Sequence, residues 1–330
     1  MAEWVIDRRQ FVLALGVSAL AAPLVSLAQP PKVPRVGFLI SETLSGQASR
    51  VDALRAGLRN YGYVEGKNIA IEIRSADGNY DRLPGLAAEL ASLKVDVIVA
   101  FGTKAVSAAM RATTTIPIVD PVMSDPVALG LSNGLARPGG NITGSAAFGP
   151  EAYAKRLEFL KEAVPRITRV AVLINPANTA SAMQVQAMRA AANALKLELQ
   201  VLEVRTAKEF GDAFAAMAQG RIEAIMVATD TLFRANYIEI ADLAGKQKLP
   251  STGTKEFAVA GGLIGYGVDD AEMYRHAAYF VDRILKGTKP GGLPIEQATK
   301  FELVINLKTA KAFGITIPQS LLVRADDVIQ

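Results

Sequence analysis

Residues 35–73 read RVGFLISETLSGQASRVDALRAGLRNYGYVEGKNIAIEI and pass through three successive hydrophobic patterns. The first six residues are a short apolar run of the type found in buried parallel strands. Val51, Leu54, Leu58 and Tyr61 then recur at helical spacing, with charged residues on the opposite face. Isoleucines at every second position from residue 69 indicate another strand. The stretch therefore predicts a strand, a helix and a strand, the unit from which parallel sheets are built.

The same alternation continues along the chain in two similar halves. The first half adds predicted helices at 83–93 and 103–111, and predicted strands at 95–100 and 116–119. The second half has predicted strands at 169–174, 197–204, 224–228 and 249–252, and predicted helices at 180–195, 207–217 and 232–244. Because such chains wind into parallel sheets covered by helices on both faces, we predict an α/β fold of two doubly wound parallel-sheet lobes. The length of 330 residues suits two lobes of about 150 residues each.

Small polar residues follow several predicted strands, at the ends where open parallel sheets bind ligands. Taken one at a time, Ser, Thr, Asn and Asp at such positions are most often helix N-caps. Taken as a set facing one cleft, they favour a ligand site, because helix N-termini present free N–H groups there. The candidate ligand-binding residues are Ser41, Thr103, Asp125, Asn175, Asn178 and Asp230, with Tyr266 lining the apolar part of the pocket. Asp125 lies in a Ser-Asp-Pro sequence, which favours a turn equally.

The composition excludes several kinds of site. The chain has no cysteine and one histidine, His276, which removes disulfides, cysteine nucleophiles and metal sites built from cysteine or paired histidines. Neither a G-x-G-x-x-G sequence after the first strand nor a G-x-x-x-x-G-K-[ST] sequence occurs, so nucleotide binding is not supported. We expect no catalytic residue, no metal and no cofactor. The charged residues, whose sum is a net charge of +4, are scattered along the sequence and form no basic stripe. This argues against a nucleic-acid partner.

The first 28 residues have the pattern of an export signal that is cleaved from the mature protein. Arg8 and Arg9 form a basic start, an apolar run follows, and the small residues of a cleavage site end at Ala28. An uncleaved membrane anchor is the alternative, but Pro23 and the limited length of the run argue against it. The context of the two arginines also resembles a twin-arginine export motif. We therefore expect a periplasmic protein.

Several motifs make the sequence similar to the substrate-binding proteins of ABC transporters, of the tryptophan/tyrosine type. The resemblance extends from about Pro34 to the C-terminus. Its motifs are YGYVEGKN at 61–68, SDPV at 124–127, RPGGNITG at 137–144, GGLIGYG at 261–267, LKGTKP at 285–290 and FELVINLKTAK at 301–311. Gly265 departs from the family pattern, in which relatives usually carry serine, so one hydroxyl near the predicted cleft is absent.

The resemblance implies the type I periplasmic-binding-protein fold, in which two lobes are joined by a hinge with several crossings. The implied domains are the signal peptide at 1–28, a first lobe at 29–145 plus 269–298, and a second lobe at 146–268 plus 299–330. The implied crossings lie near residues 144–145, 267–268 and 299–300. A helix at 269–286 would return to the first lobe, and a last strand near 301–305 would rejoin the second.

The resemblance also implies a function, that of an extracytoplasmic, non-enzymatic solute-binding protein of an ABC importer. A small carboxylate ligand, such as an amino acid (by family type an aromatic one) or an organic acid, would be held between the lobes. The other partners would be an inner-membrane permease with its ATPase, and the protein would be a monomer. Thr103 and backbone N–H groups would bind the ligand carboxylate, and Asp230, supported by Asn175 and Asn178, its ammonium group. A secreted sensor or enzyme on the same fold stays open as an alternative.

Overall fold

A computed structural model describes residues 32–330, and the predicted export signal at 1–28 lies outside them. The apolar run that opens the first lobe forms β1 (Arg35–Ile40), an internal strand of the first sheet. The run is apolar because helices cover both faces of such a strand. The neighbours of β1 are β2 (Ala70–Ser75) and β3 (Val97–Ala100). Beyond β3 the sheet continues with β4 (Ile118–Ser124), β5 (Ile142–Phe148) and the short β11 (Glu296–Gln297). All neighbouring strands of this sheet run parallel.

Helices cover both faces of the first sheet. The helix α1 (Leu44–Asn60) begins after Thr43, whose side-chain oxygen accepts the N–H of Gly46, and it buries Val51, Leu54 and Leu58 against the sheet. On the opposite face lie α2 (Leu83–Ser92) and α3 (Thr103–Ala112), which share a second apolar core. Val51, Leu54 and Leu58 therefore lie on the buried face of α1 as the sequence predicts, whereas Tyr61 follows the helix as its C-cap residue and is exposed.

The second lobe repeats this arrangement. Its sheet contains, in the order β7-β6-β8-β9-β10, the parallel strands β6 (Arg169–Ile174), β7 (Glu198–Glu203), β8 (Ala224–Val227), β9 (Ser251–Gly253) and β10 (Ile264–Gly267). Its helices are α4 (Pro150–Ala163), α5 (Ser181–Ala194), α6 (Phe210–Gln219), α7 (Thr231–Ala235), α8 (Tyr237–Lys246) and α9 (Lys255–Val259). One continuous apolar core packs these helices against the sheet.

The chain passes between the lobes after β5, after β10 and after β11. The second passage leads into α10 (Asp270–Leu285), which returns to the first lobe and packs beside α1. The third leads into β12 (Glu302–Asn306), which enters the second sheet from the hinge side and therefore runs antiparallel to β10. After α11 (Leu307–Phe313) and α12 (Gln319–Leu322), the chain ends with β13 (Asp327–Ile329) beside β12.

The predicted fold class is confirmed, since two α/β lobes are built on largely parallel sheets. The predicted helix at 232–244 is instead two helices, α7 and α8. They separate at Asn236, whose side-chain amide donates to the carbonyl of Leu232 at 2.7 Å and so competes with regular helix bonding. β5 runs to residue 148, past the implied crossing near 144–145. The implied lobe boundaries stay predictions.

Candidate functional site

A pocket lies between the two lobes, where the strands of both sheets end. On the first-lobe side it is bordered by the start of α3 and by β4, and on the second-lobe side by the segment after β8 and by α7. In this structure the pocket is narrow, with a cavity volume of about 40 Å³. The polar side chains that border it include Thr103, Lys104, Asp120, Asn178, Asp230 and Arg234.

The N-terminus of α3 forms one side of this pocket. Gly102 is its N-cap residue, and no side chain caps the first N–H groups of the helix. Glycine is required here, because φ is 85° and an added Cβ would lie 2.8 Å from Cγ2 of Thr231 in the other lobe. Thr103 and Lys104 border the pocket in the first turn. Uncapped N–H groups beside a lysine form a site suited to a carboxylate.

Asp230 forms part of the second-lobe wall, as the N-cap of α7. Its carboxylate accepts the N–H of Leu232 at 2.8 Å and the side-chain amides of Asn175 and Asn178 at 3.0 and 2.9 Å. It is 6% exposed, and burial raises the pKa of the Asp230 carboxyl, an effect that these hydrogen bonds partly offset. A carboxylate fixed in this way at a pocket wall suits a cationic group of a ligand.

Hydrogen bonds connect the lobes at the edges of the pocket. The hydroxyl of Thr103 donates to Oδ1 of Asn178 at 3.1 Å, which links the start of α3 to the amide that holds Asp230. The hydroxyls of Tyr80 and Thr231 lie 2.6 Å apart. Both contacts join residues of different lobes, so in this structure the lobes are closed on each other around the pocket.

A buried ionic cluster lies behind this closed edge. Asp270, the first residue of α10, accepts hydrogen bonds from Arg50 of α1 at 2.8 and 3.2 Å and from Arg234 of α7 in the other lobe. Burial opposes ionisation of Asp270, but Arg234 and Arg50 outweigh it and hold the pKa of its carboxyl below the usual range. Both guanidinium groups also lie over the ring of Phe101, 5.6 and 5.7 Å from its centroid.

The predicted ligand-binding residues divide into two groups. Thr103, Asn178 and Asp230 border the pocket, and Asn175, which is 2% exposed, holds Asp230 from behind. Thr103 follows a strand of the first sheet and the other three follow strands of the second, and the carboxyl ends of the two sheets face each other across the pocket. Their roles toward a ligand stay predictions.

The structure places the other three predicted residues away from the lining of this pocket. Ser41 is buried at the end of β1. Asp125 borders a neighbouring groove, and its Oδ1 accepts two N–H groups of the turn that follows, each at 3.0 Å. The ring of Tyr266 stacks on Phe301 and packs edge-on against Phe159, so it belongs to the aromatic packing of the second lobe.

Sequence reasoning missed two charged residues of the pocket, Asp120 and Arg234. Asp120 is 3% exposed and lies inside β4, whereas the predicted strand ended at Val119. A charged residue within the otherwise apolar run IVDPVM is a signal that could have identified it. Arg234 follows Asp230 by one helical turn, but its partner Asp270 is distant in sequence, so nothing local indicated its burial.

Residues 32–330 contain neither a metal-binding cluster of acidic and histidine side chains nor a membrane-spanning helix. Side chains of histidine, aspartate and glutamate form no group of three or more that would hold a metal ion in this part of the chain. In the same residues, no helix combines the length and the apolar character that crossing a membrane needs.

Comparison with known proteins gives consistent matches. The family model described as ABC transporter substrate binding protein matches residues 40–329. A tyrosine-binding protein of Clostridioides difficile is 28% identical over 259 residues, which cover 78% of this chain and 74% of that protein. A conserved domain protein of Vibrio cholerae has a structure similar to 90% of this chain and 100% of its own, with a TM-score of 0.85 and 27% identity.

A second solved structure comes from Streptococcus pneumoniae and is described as an ABC domain in complex with L-Trp. It has a TM-score of 0.84 and 24% identity, and the match covers 90% of this chain and 99% of that one. This likeness supports the two-lobed fold of the chain.

Proposed function

Because the chain belongs to the family of ABC transporter substrate-binding proteins, we propose that it binds a free amino acid between its lobes and presents it to a membrane permease for import. One observation carries this proposal: the same pocket joins an uncapped helix N-terminus to a fixed carboxylate, Asp230. An α-amino acid carries a carboxylate and an ammonium group on one carbon, and these are the two charges that such a pair recognises.

The start of α3 would hold the ligand carboxylate. Free N–H groups at a helix N-terminus and the positive end of the helix dipole favour an anion. The hydroxyl of Thr103 and the ammonium group of Lys104 add donors at the same place. The carboxylate of Asp230 would accept the ligand ammonium, while the amides of Asn175 and Asn178 keep its oxygens in position.

The remaining wall of the pocket suits an apolar side chain. It is formed by Phe101, Val122, Leu129 and Leu131. The tyrosine-binding relative and the L-Trp complex are consistent with an aromatic ligand. We therefore propose an amino acid with a large, mainly apolar side chain as the ligand.

Closure of the lobes would couple binding to delivery. Ligand contacts from both lobes are complete only when the lobes are closed, so a ligand shifts the population toward the closed form. A permease that recognises this form would accept loaded protein in preference to empty protein. This role requires export across the inner membrane, for which the predicted signal at residues 1–28 would serve, and it places the mature protein in the periplasm.

A ligand screen followed by titration tests the proposal. Amino acids and organic acids are screened by thermal unfolding of the mature protein. A compound that binds, at 100 times its Kd, is expected to stabilise the protein by about 2.7 kcal/mol, which raises its unfolding temperature measurably. For an amino acid that binds, Asp230→Ala is expected to weaken binding by about 2 kcal/mol or more, because the ligand ammonium loses its partner.

The matched control is Asp212→Ala, which removes an exposed aspartate of α6 in the same lobe. It is expected to leave the affinity unchanged in calorimetric titration. An Asp230→Ala variant that binds as tightly as the unchanged protein would remove the proposed role of this carboxylate.

A further inference from the structure

Asp120 differs from Asp230, the other acid that lines the pocket, in the partners of its carboxylate. Oδ1 accepts the N–H of Val122 at 3.0 Å, and Oδ2 makes no hydrogen bond with any of the described residues. Asp230 has amide partners on both oxygens, and Asp270 has two arginines. Asp120 is therefore the pocket acid that keeps capacity to accept a hydrogen bond.

Among residues 32–330, no cation lowers the pKa of the Asp120 carboxyl. Burial raises the pKa of Asp120 to about 7, and the one interaction that lowers it is the N–H of Val122. A carboxylate oxygen of a largely buried residue that lines a pocket and has no protein partner calls for an explanation. A site that is completed by a ligand provides one.

The strand pairing around Asp120 is irregular, and this irregularity sets the position of the residue. The pairing of β4 with β5 shifts in register between Asp120 and Met123, and Pro121 lies within the shift. Opposite, Gly144 has a φ of 139°, and an added Cβ there would lie 2.0 Å from the carbonyl oxygen of Asp120. Such irregularities re-aim side chains and are common beside functional sites. The position of Asp120 at the pocket wall is thus built into the sheet.

Asp120 shares the pocket lining with apolar residues of β4 and of the segment that follows it. Val122, Leu129 and Leu131 border the pocket with it and form the part proposed above to hold the ligand side chain. An acceptor in apolar surroundings discriminates strongly, because a ligand that lacks the matching donor leaves the acceptor unpaired and away from water.

We propose that Asp120 contacts the ligand and accepts a hydrogen bond from an N–H or O–H group at the end of the ligand side chain. This inference rests on the proposed binding of an amino acid and adds the chemistry of its side chain. The protein then prefers amino acids whose large side chain carries such a donor, as a phenol or an indole does, over equally large side chains without one.

Matched ligand pairs test this preference. The first pair is L-tyrosine and L-phenylalanine, and the second is L-tryptophan and L-3-benzothienylalanine, in which sulfur replaces the indole N–H. Calorimetric titration of the unchanged protein is expected to show tighter binding of the donor-bearing member of at least one pair, by about tenfold or more. Equal affinities within both pairs would overturn the inference.

Two variants then test whether Asp120 is the acceptor. In Asp120→Asn the side-chain oxygen keeps the N–H of Val122, so the NH₂ group takes the place of Oδ2 and offers a donor where the ligand needs an acceptor. The preference is expected to fall below about threefold, with the affinity of the donor-free member nearly unchanged. Asp120→Leu removes acceptor and donor together and is expected to abolish the preference as well. Asp212→Asn is the control that retains it.

Failures of the two proposals are distinguishable. If no amino acid binds, the proposed function fails and the inference fails with it. If amino acids bind but Asp120→Asn and Asp120→Leu keep the full preference for donor-bearing ligands, the proposed function stands and the role of Asp120 is overturned.

Discussion

Asp120 illustrates how one side chain links the stability of this protein to pH. Burial without a neighbouring cation raises the pKa of its carboxyl from 3.8 to about 7. Between these two values the folded protein keeps a proton that the unfolded chain has released. The free energy of unfolding therefore falls as the pH rises through this interval, and the effect is complete above pH 7.

Asp120→Asn removes this dependence, because the amide is neutral at every pH. The stability of the variant relative to the unchanged protein is expected to increase between pH 4 and pH 8 by at most about 4 kcal/mol. Denaturant unfolding at several pH values measures this difference. Burial also raises the pKa of Glu42 to about 6, but Glu42 is present in both proteins and cancels. Parallel stability curves would contradict the assignment.

Gly144 pairs with Asp120 in the sheet, and its backbone conformation is one that only glycine fits. Its φ of 139° and the carbonyl of Asp120, 2.0 Å from an added Cβ, leave no place for a side chain. Gly144→Ala is expected to destabilise the protein by about 3 kcal/mol, from backbone strain and overpacking together. Gly140→Ala is the control, because a Cβ there meets no atom within 4 Å, and it is expected to change stability by less than about 0.5 kcal/mol. Equal effects of the two substitutions on denaturant unfolding would argue against this explanation.

The sequence predicted those residues of the candidate site that directly follow a recognisable strand. Thr103, Asn178 and Asp230 each follow a recognisable strand, and the rule for parallel sheets places them at the carboxyl ends of the two sheets, which face the pocket. Asp120 was not predicted as a site residue, because Pro121 beside it suggests a loop. In the structure the strand continues through a register shift that no hydrophobic periodicity indicates. Tyr266 failed to reach the pocket lining because two phenylalanines, distant in sequence, hold its ring.

At the scale of elements, α1, α7 and α10 meet in one ionic cluster. Asp270 at the start of α10 pairs with both Arg50 and Arg234; Asp270 and Arg234 are buried, and the Arg50 side chain is 11% exposed. Asp270→Asn removes the carboxylate that the two guanidinium groups share and leaves Arg234 with Glu256, at 3.5 Å. It is expected to lower the free energy of unfolding at pH 7 by about 3–5 kcal/mol, measured by denaturant unfolding.

The control for this cluster is the exposed ion pair of Arg55 and Asp52 on α1, at 3.2 Å. Asp52→Asn is expected to cost less than about 1 kcal/mol, because solvent screens an exposed pair. A similarly small loss in Asp270→Asn would show that the buried cluster contributes little to stability.

Element prediction succeeded where one face of a helix or strand is uniformly apolar. The pattern of α1 and the run of β1 are examples, and both lie where residues 35–60 indicate. By contrast, α4 gave no clear signal, because its buried face includes Arg156, which is fully buried and donates to the carbonyl of Tyr266 at 2.8 Å. Partners so distant in sequence cannot be derived from local hydrophobicity, so a buried arginine obscures the helical pattern.

At the scale of the whole molecule, contacts between the lobes set how readily the pocket closes. The hydrogen bond between the hydroxyls of Tyr80 and Thr231 exists only while the lobes are closed. A net hydrogen bond contributes about 0.5–1.5 kcal/mol, so its loss lowers the closed population of a two-state equilibrium by up to about tenfold. When the binding-competent state is less populated, the apparent Kd rises in proportion.

Tyr80→Phe is therefore expected to weaken ligand binding by about threefold to tenfold, although Tyr80 is not among the described residues that line the pocket. Tyr63→Phe is the matched control, because the Tyr63 hydroxyl donates to Asp282 at 3.2 Å within the first lobe, and closure does not alter that bond. Calorimetric titration compares the two variants, and small-angle scattering compares their radii of gyration without ligand. If Tyr80→Phe binds as tightly as Tyr63→Phe and is equally compact, this contact does not govern closure.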